Sequence, residues 1–545
     1  MDRGSRRTPG KNRLHQGGTA DGMPRARHRV APVLALLAIV AFVAVVRLGV
    51  ADAPLERDEG EYAYAGQLIL QGTPPYAAAY NMKFPGTYYA YSVILAAFGQ
   101  TPWAIRAGLL VVNVATILLV FLVGRRWLGS GAAVAAAWVF ALLSMAPRAV
   151  GLFAHATHFV LLPLMAGLWL VTGPAPVTRR RALLAGVLVG LSVLMKQHAI
   201  VFVPCLVAFV LWRDWRQAGT LVSKLTPAAL ALAGAAAPFA VLCAVLAAQG
   251  VFGAFWFWTI DYARAYVSEI PLPEAPAMFA ATWTAITESS LPLWMAGGAG
   301  LVLLWVGRWP ADARVVLTGL AVASFAAMCP GFYFREHYFI LLLPSVALLT
   351  GVAVATIDRW LSRGAPRWLA AGSTLGVVCV LSALFIAGQR TLLFAASPDD
   401  LSLAVYRTTT FVDARRVAQF VRDNTAPGDR IAVLGSEPEI YFYANRLAAT
   451  GYIYTYALME PQPYAAHMQD EMIRQVETAH PRYVVAVLDR TSWLIEPASE
   501  RRILDWAPRY LDTCYDRVDV AGLSGSADSF QVYRWKTDRA CRAGS

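Results

Sequence analysis

Charge is what this sequence lacks most. Asp, Glu, Lys and Arg make up only 15% of its 545 residues, against 57% hydrophobic residues. A water-exposed surface needs roughly a quarter to a third charged residues, so a single soluble domain is excluded and a membrane protein is expected. Lysine is scarcer still, confined to Lys11, Lys83, Lys196, Lys224 and Lys536. The formal charge of +12 is broken into short clusters between apolar windows and forms no continuous stripe, which argues against nucleic acid as a partner. No internal repeat suggests the inverted symmetry of many transporters. Cysteine is sparse and has no metal-ligand spacing. Cys205, Cys243, Cys329 and Cys379 lie in apolar windows, where a thiol behaves as a small hydrophobe. No small-residue cleavage site follows the first apolar run cleanly, so that run is expected to remain as a span.

Long apolar runs are what the sequence has in abundance. Windows able to cross about 30 Å of hydrocarbon fall near 30–49, 105–123, 131–146, 153–171, 182–196, 199–212, 226–247, 291–306, 315–329, 338–356 and 368–388. They predict an α-helical polytopic membrane protein with about eleven transmembrane helices. Arginines cluster before the first span (Arg3, Arg6, Arg7, Arg25, Arg27, Arg29) and then in every second connection: Arg125 and Arg126, Arg179 to Arg181, Arg213 and Arg216, Arg308 and Arg314, Arg359 and Arg367. By the positive-inside rule these segments and the N-terminus are cytoplasmic, in a plasma membrane, and an odd number of spans leaves the C-terminal part outside. The expected organisation is a basic tail at 1–29, a transmembrane domain at 30–390 carrying an external loop at 50–104, and an extracytoplasmic domain at 391–545. A second external segment, 248–290, is rich in aromatics (Phe252, Phe255, Trp256, Phe257, Trp258) and reads as an interfacial helix. Beyond Ser397 the pattern turns to helix 411–424, strand Ile431 to Leu434, helix 464–479 and strand Tyr483 to Leu488, a small α/β domain with a partly parallel sheet. There an oxidising compartment would permit a disulfide between Cys514 and Cys541.

The polar residues that remain are concentrated at the predicted outer ends of spans. Arg57-Asp58-Glu59-Gly60-Glu61-Tyr62 crowds three carboxylates just beyond the first span, where mutual repulsion should raise at least one pKa, as a poised general base requires; a solvated loop cluster is the plain alternative. Lys83, in Asn81-Met82-Lys83-Phe84-Pro85-Gly86, is an external lysine against the topological tendency. It suits a phosphate, with Pro85-Gly86 fixing a turn that lets backbone approach a ligand, unless it only snorkels at the interface. Lys196-Gln197-His198 interrupts two apolar spans and could offset phosphate charge or simply cap a helix. His155-Ala156-Thr157-His158 offers two histidines three apart, but with no acidic or thiol ligand nearby in sequence no metal is expected.

The Asp-Glu pair after the first span, followed some two dozen residues later by Lys-x-Pro-Gly, resembles the GT-C superfamily of membrane glycosyltransferases. The similar groups are the protein O-mannosyltransferases, the lipid A aminoarabinose transferases and the bacterial dolichyl-phosphate-mannose-protein mannosyltransferase type. The resemblance implies that Asp58, with Glu59 beside it, is catalytic and that Asp58 is the base activating the acceptor. It implies that Phe334-Arg335-Glu336-His337-Tyr338 lies at the outer end of a late span with Arg335 and His337 facing a lipid phosphate, although an Arg335–Glu336 interfacial ion pair would also fit. Glu61, Tyr62, Lys83, His155, His158, Lys196 and Tyr338 complete the expected substrate contacts. Where relatives carry Asn and an acidic residue this chain has His155 and His158. The second acidic contact is therefore lost, replaced by a histidine, or supplied by Glu59 or Glu61. The implied reaction is a metal-independent, cofactor-free inverting transfer of a monosaccharide from a polyprenyl-phosphate donor in the membrane lipid to a glycan, lipid or protein acceptor outside the cell. A transporter or flippase of lipid-linked saccharides, or a non-catalytic binder of them, is the competing expectation.

Overall fold

A computed structural model of the chain describes residues 23–267, 270–364, 366–523 and 529–536. Each of the eleven apolar windows coincides with a helix. In chain order the first nine helices are α1 (Met23–Gly49), α2 (Arg57–Leu70), α3 (Gly86–Phe98), α4 (Pro102–Gly124), α5 (Ser130–Leu143), α6 (Ala156–Val171), α7 (Arg179–Met195), α8 (Phe202–Trp215) and α9 (Leu221–Ala248). Helices Leu291–Val306, Ala311–Ala326, Leu343–Leu361 and Arg367–Arg390 complete the bundle. Among the described residues six stretches are long and apolar enough to cross a membrane unaided, and Leu272–Thr287 with Leu291–Val306, bent by 114°, makes a seventh if the pair is one span. The chain is a multi-pass membrane protein. The predicted N-terminal arginines Arg3, Arg6 and Arg7 lie outside the described residues.

Shorter helices such as α5 and α7 gain their place by packing, and glycine makes the closest contacts possible. A Cβ on Gly186 would sit 2.1 Å from the Ala231 carbonyl oxygen, and one on Gly234 2.3 Å from that of Leu183, so α7 and α9 touch backbone to backbone. The same device locks Leu291–Val306 onto Leu343–Leu361, where a Cβ on Gly300 would stand 1.8 Å from the Leu349 oxygen.

The first loop folds into α2 and α3, which stand at one end of the bundle. Glu56 caps α2, its Oε1 accepting the Glu59 amide at 2.9 Å. The Pro85-Gly86 turn does exist, but it serves packing and not ligand approach. A Cβ at Gly86 would lie 2.3 Å from the Leu194 oxygen, so the glycine lets α3 start against the end of α7. The aromatic segment is only partly interfacial. Trp256 is exposed, but Phe255 and Trp258 are buried, their rings against Tyr76, Phe84 and Tyr80. These rings therefore line the inside of the fold.

The C-terminal domain is a five-stranded sheet in the order β2-β1-β3-β5-β4, formed by β1 (Arg430–Leu434), β2 (Leu447–Ala448), β3 (Tyr483–Val487), β4 (Tyr515–Val518) and β5 (Phe530–Trp535). β1 pairs in parallel with β2 and β3, and β5 runs antiparallel to β3 and β4. The helices at 411–424 and 464–479 and both expected strands are found; the two-residue β2 and the terminal β4 and β5 were not foreseen. Cys514 is disulfide-bonded, and Cys541, the expected partner, lies outside the described residues.

This domain is seated on α2. The Arg57 guanidinium pairs with Glu437 at 2.8 Å, Tyr64 stacks on Tyr441 with centroids 5.2 Å apart, and the Ala448 amide donates to the Tyr64 hydroxyl at 2.8 Å. A Cβ at Gly60 would meet Glu439 at 2.6 Å, so α2 and the helix Glu439–Ala444 approach as closely as backbone allows. The segment from Gly435 to Phe442 is thus a docking element between the first loop and the sheet.

Candidate active site

Between the start of α2, the ends of α6 and α7, the segment 330–338 and the C-terminal domain lies a cavity of about 1050 Å³. Its lining includes Asp58, Tyr62, Lys83, His155, Lys196, Arg335, His337 and Tyr338 of the residues expected from sequence. They come from regions up to 280 positions apart in the chain, brought together because every polar interruption falls at the same end of the bundle.

The helical geometry of α2 divides its carboxylates. Residues 58, 61 and 62 share a face at spacings of three and four, and that face meets Lys83. The Lys83 ammonium donates to Asp58 Oδ1 at 2.6 Å and to Glu61 Oε2 at 2.5 Å, and lies over the Tyr62 ring, 4.8 Å from its centroid. The Tyr454 hydroxyl also donates to Asp58 Oδ1, at 3.3 Å, and Tyr88 donates to Glu61. Burial alone would raise Asp58, but Lys83 and His155 outweigh it and hold the carboxyl well below the ordinary range. Burial likewise opposes charge on Lys83, and Asp58 and Glu61 more than reverse it, lifting its pKa well above the usual value. The raised pKa expected from crowding falls on neighbours. Burial and then Asp58 push Glu56 up to about 7, and burial lifts Glu61 against the pull of Lys83.

Two of the expected site residues are held by ion pairs. Glu59 points off the shared face and is fully buried, away from the cavity wall, because Arg106 grips it with two N–H groups and the Ala154 amide donates to it as well. This enclosed ion pair joins α2 to α4 away from the cavity lining. Lys83 lines the cavity and gives two of its three N–H groups to carboxylates.

The opposite wall is cationic and unmatched. Lys196 caps α7 with its ammonium 4.6 Å from the Tyr338 ring centroid, and Arg335 lies over Tyr333 at 5.5 Å. Among the described residues neither has a carboxylate partner, so the Arg335–Glu336 ion pair is not formed. Burial, reinforced by Lys83 and Arg335 and opposed by Asp58, pushes Lys196 down to about 8. His155, at the N-terminus of α6, stacks on His337 with centroids 4.5 Å apart and planes within 4°. Its Nδ1 stands 3.7 Å from both Asp58 Oδ2 and Glu56 Oε1, beyond hydrogen-bond reach. Burial opposes charge on His155, yet Glu56 and Asp58 raise its pKa above the ordinary value. His158 is buried in α6 and is not among the residues that line the cavity.

Several cavity residues escaped sequence reading. Glu56 could have been found as an acidic helix cap three residues before Glu59. Tyr454 and Tyr456, which alternate in strand fashion, line the cavity from the C-terminal domain. Trp258 belongs to the aromatic segment noted from sequence, whereas Tyr262 and Glu460 reach the cavity through tertiary packing and left no local signal.

Residues 82–260 match the family model described as dolichyl-phosphate-mannose-protein mannosyltransferase. No curated protein sequence matches the chain. Among solved structures, ArnT from Cupriavidus metallidurans bound to undecaprenyl phosphate is similar with a TM-score of 0.58 at 16% identity, covering 92% of this chain and 98% of that one. The archaeal oligosaccharyltransferase AglB from Archaeoglobus fulgidus, in complex with an inhibitory peptide and a dolichol-phosphate, gives a TM-score of 0.52 at 13% identity, over 93% of this chain and 74% of that one. At such identities it is the fold that is shared. The chain has the GT-C fold of membrane glycosyltransferases.

Proposed function

We propose that this GT-C-fold protein transfers a monosaccharide from a polyprenyl-phosphate donor to a hydroxyl of an extracytoplasmic acceptor, with Asp58 as the base. The observation that carries this reading is the division of one cavity into a carboxylate wall, with Asp58 bound to Lys83, and a wall where Lys196 and Arg335 form no ion pair with a carboxylate among the described residues. A glycosyl phosphate already has a good leaving group, so the protein needs chiefly to take the acceptor proton and stabilise the departing phosphate.

Against burial, Lys83 holds the Asp58 carboxyl below the ordinary range, with Oδ1 tied to Lys83 and Oδ2 3.7 Å from His155 Nδ1. As the acceptor oxygen bonds to the anomeric carbon its proton becomes acidic, and Asp58 receives it. The bond from that carbon to the phosphate oxygen breaks on the far side, inverting the configuration. Lys196 and Arg335 meet the resulting charge in a water-poor cavity, where a cation acts more strongly than in bulk water. A lipid-phosphate donor is supported by the undecaprenyl phosphate and dolichol-phosphate bound to the two structural relatives. Its prenyl chain stays in lipid at about 0.8 kcal/mol per buried methylene, so the protein need grip only phosphate and sugar. The arginine pattern supports an outward-facing cavity.

Mass spectrometry of envelope glycans and polyprenyl-phosphate sugars, with and without the gene, tests this reading. A donor that accumulates in the deletion strain together with one missing sugar is the expected result. Unchanged sugars, with a lipid-linked saccharide trapped on the cytoplasmic face, would make the protein a transporter.

A further inference from the structure

We infer that Glu437 and Tyr454 of the C-terminal domain are positioning residues for Asp58, so that this domain holds the base in place as well as lining the cavity. The inference rests on the transfer reaction proposed above and deepens it, giving the domain a part in the chemistry that docking alone does not require.

Asp58 is gripped twice, and both grips come from the C-terminal domain. The first acts through Arg57, the residue before it at the start of α2. The Arg57 guanidinium donates Nε and Nη2 to Glu437 Oε1 at 3.0 and 2.8 Å. Glu437 is fully buried, and its other oxygen accepts from the Ser492 hydroxyl at 2.5 Å, so the carboxylate is not free to follow a moving arginine. The second grip is on the base itself. The Tyr454 hydroxyl donates to Asp58 Oδ1, the oxygen that Lys83 also holds, and the Tyr454 ring centroid lies 5.4 Å from the Lys83 ammonium. That leaves Oδ2 as the oxygen that neither Lys83 nor Tyr454 occupies.

A ring of hydrogen bonds joins the two grips. Ser492 Oγ accepts the Ser436 amide at 2.8 Å, the Ser436 and Thr455 hydroxyls stand 2.9 Å apart, and Thr455 Oγ1 donates to the Ser492 carbonyl, also at 2.9 Å. Ser436, Thr455 and Ser492 are all fully buried. A buried polar network whose members are satisfied rigidifies what it connects, and here it connects Glu437, next to Ser436, with Tyr454, next to Thr455. The spacing between the two contacts on α2 is thereby set within the C-terminal domain. Such precision matters for a proton acceptor, because a displacement of about 1 Å at a reacting group can cost about 100-fold in rate. A purely structural tie would not need the phenol. Burial, then Asp58 and Glu61, lift the Tyr454 pKa well above its ordinary value, so the hydroxyl stays a donor at neutral pH and favours the charged form of the carboxylate.

The test adds the full chain in nanodiscs to membranes of the deletion strain, which supply both donor and acceptor, and reads the initial rate of sugar incorporation per folded chain. Tyr454→Phe should lower that rate about 10-fold with an unchanged unfolding midpoint. Its acid limb should move to higher pH, since a carboxylate that has lost a donor takes up its proton sooner as pH falls. Glu437→Gln should lower the rate by up to about 100-fold. Arg57→Lys, which lacks the planar fork of the two-pronged contact, should match it, and the double variant should be no slower, because the pair acts as one unit. Asp470→Asn breaks an exposed ion pair with Arg502 in the same domain and should leave the rate at its parental value. A parental rate and pH profile in Tyr454→Phe would overturn the inference even if the Glu437 and Arg57 variants failed to fold, and so would single losses that multiply in the double variant. Near-parental transfer by Asp58→Asn would remove the reaction itself, and the inference with it.

Discussion

The two walls of the cavity handle charge in opposite ways. On the wall built by α2 each carboxylate has a partner: Asp58 and Glu61 share Lys83, Glu59 has Arg106, and Arg57 reaches Glu437. On the facing wall Lys196 and Arg335 rest on aromatic rings, and among the described residues neither forms an ion pair with a carboxylate. Burying a charge is expensive unless it is paired, so the first wall is finished by folding and the second is finished by a ligand. A ligand that completes the second wall is expected to be anionic.

Asp58→Asn attacks the finished wall at its one chemically available group. It should lower turnover by about 10²–10⁴-fold, the usual contribution of a positioned general base, while the thermal midpoint in detergent stays near that of the parent. Near-parental turnover would remove Asp58 from the chemistry.

Glu59→Ala, one residue along, should have the contrasting phenotype. It strands the Arg106 charge in the core, a loss of about 3–5 kcal/mol, visible as a lowered unfolding midpoint and poor yield. A stable Glu59→Ala protein with a catalytic defect like that of Asp58→Asn would erase the distinction drawn between neighbouring carboxylates. Gly60→Ala probes the same wall from outside. The new methyl collides with Glu439, so protease sensitivity at the junction of the C-terminal domain should rise by an amount in keeping with the 1–3 kcal/mol of overpacking. Unchanged protection would mean that the two helices part without cost.

The smallest expected effect is a pH dependence of the unfinished wall. Lys196, held near 8 by its burial, is charged below that pH and neutral above it. Donor KM should therefore climb as pH rises through about 8, and Lys196→Arg, always charged, should flatten the climb. A KM that rises equally in both proteins would assign the titration elsewhere.

Much of this was legible in the sequence, for physical reasons. Apolar runs fix spans because lipid leaves a backbone no other way to satisfy its polar groups, and all eleven windows became helices. Asp58, Lys83, Lys196 and Arg335 stood out because charge at a span end is rare in a chain so poor in it. What sequence could not give was orientation around a helix axis in a crowded cluster. Asp58 and Glu59 differ by one step of about 100°, enough to send one to the cavity and the other to Arg106. Nor could it give the partner of Lys83, which depends on α3 starting where Gly86 allows it to touch α7. The stacked pair His155 and His337 lies 182 positions apart, and no local pattern joins them.

The division of labour between the walls is tested most directly by equilibrium binding of undecaprenyl phosphate, the leaving group without its sugar. Asp58→Asn should bind it as tightly as the parent protein, whereas Lys196→Gln and Arg335→Gln should each bind it about 10-fold to 100-fold more weakly, in line with a charge-assisted contact of 1.5–3 kcal/mol. Loss of binding in Asp58→Asn with undiminished binding in both cation variants would contradict the account.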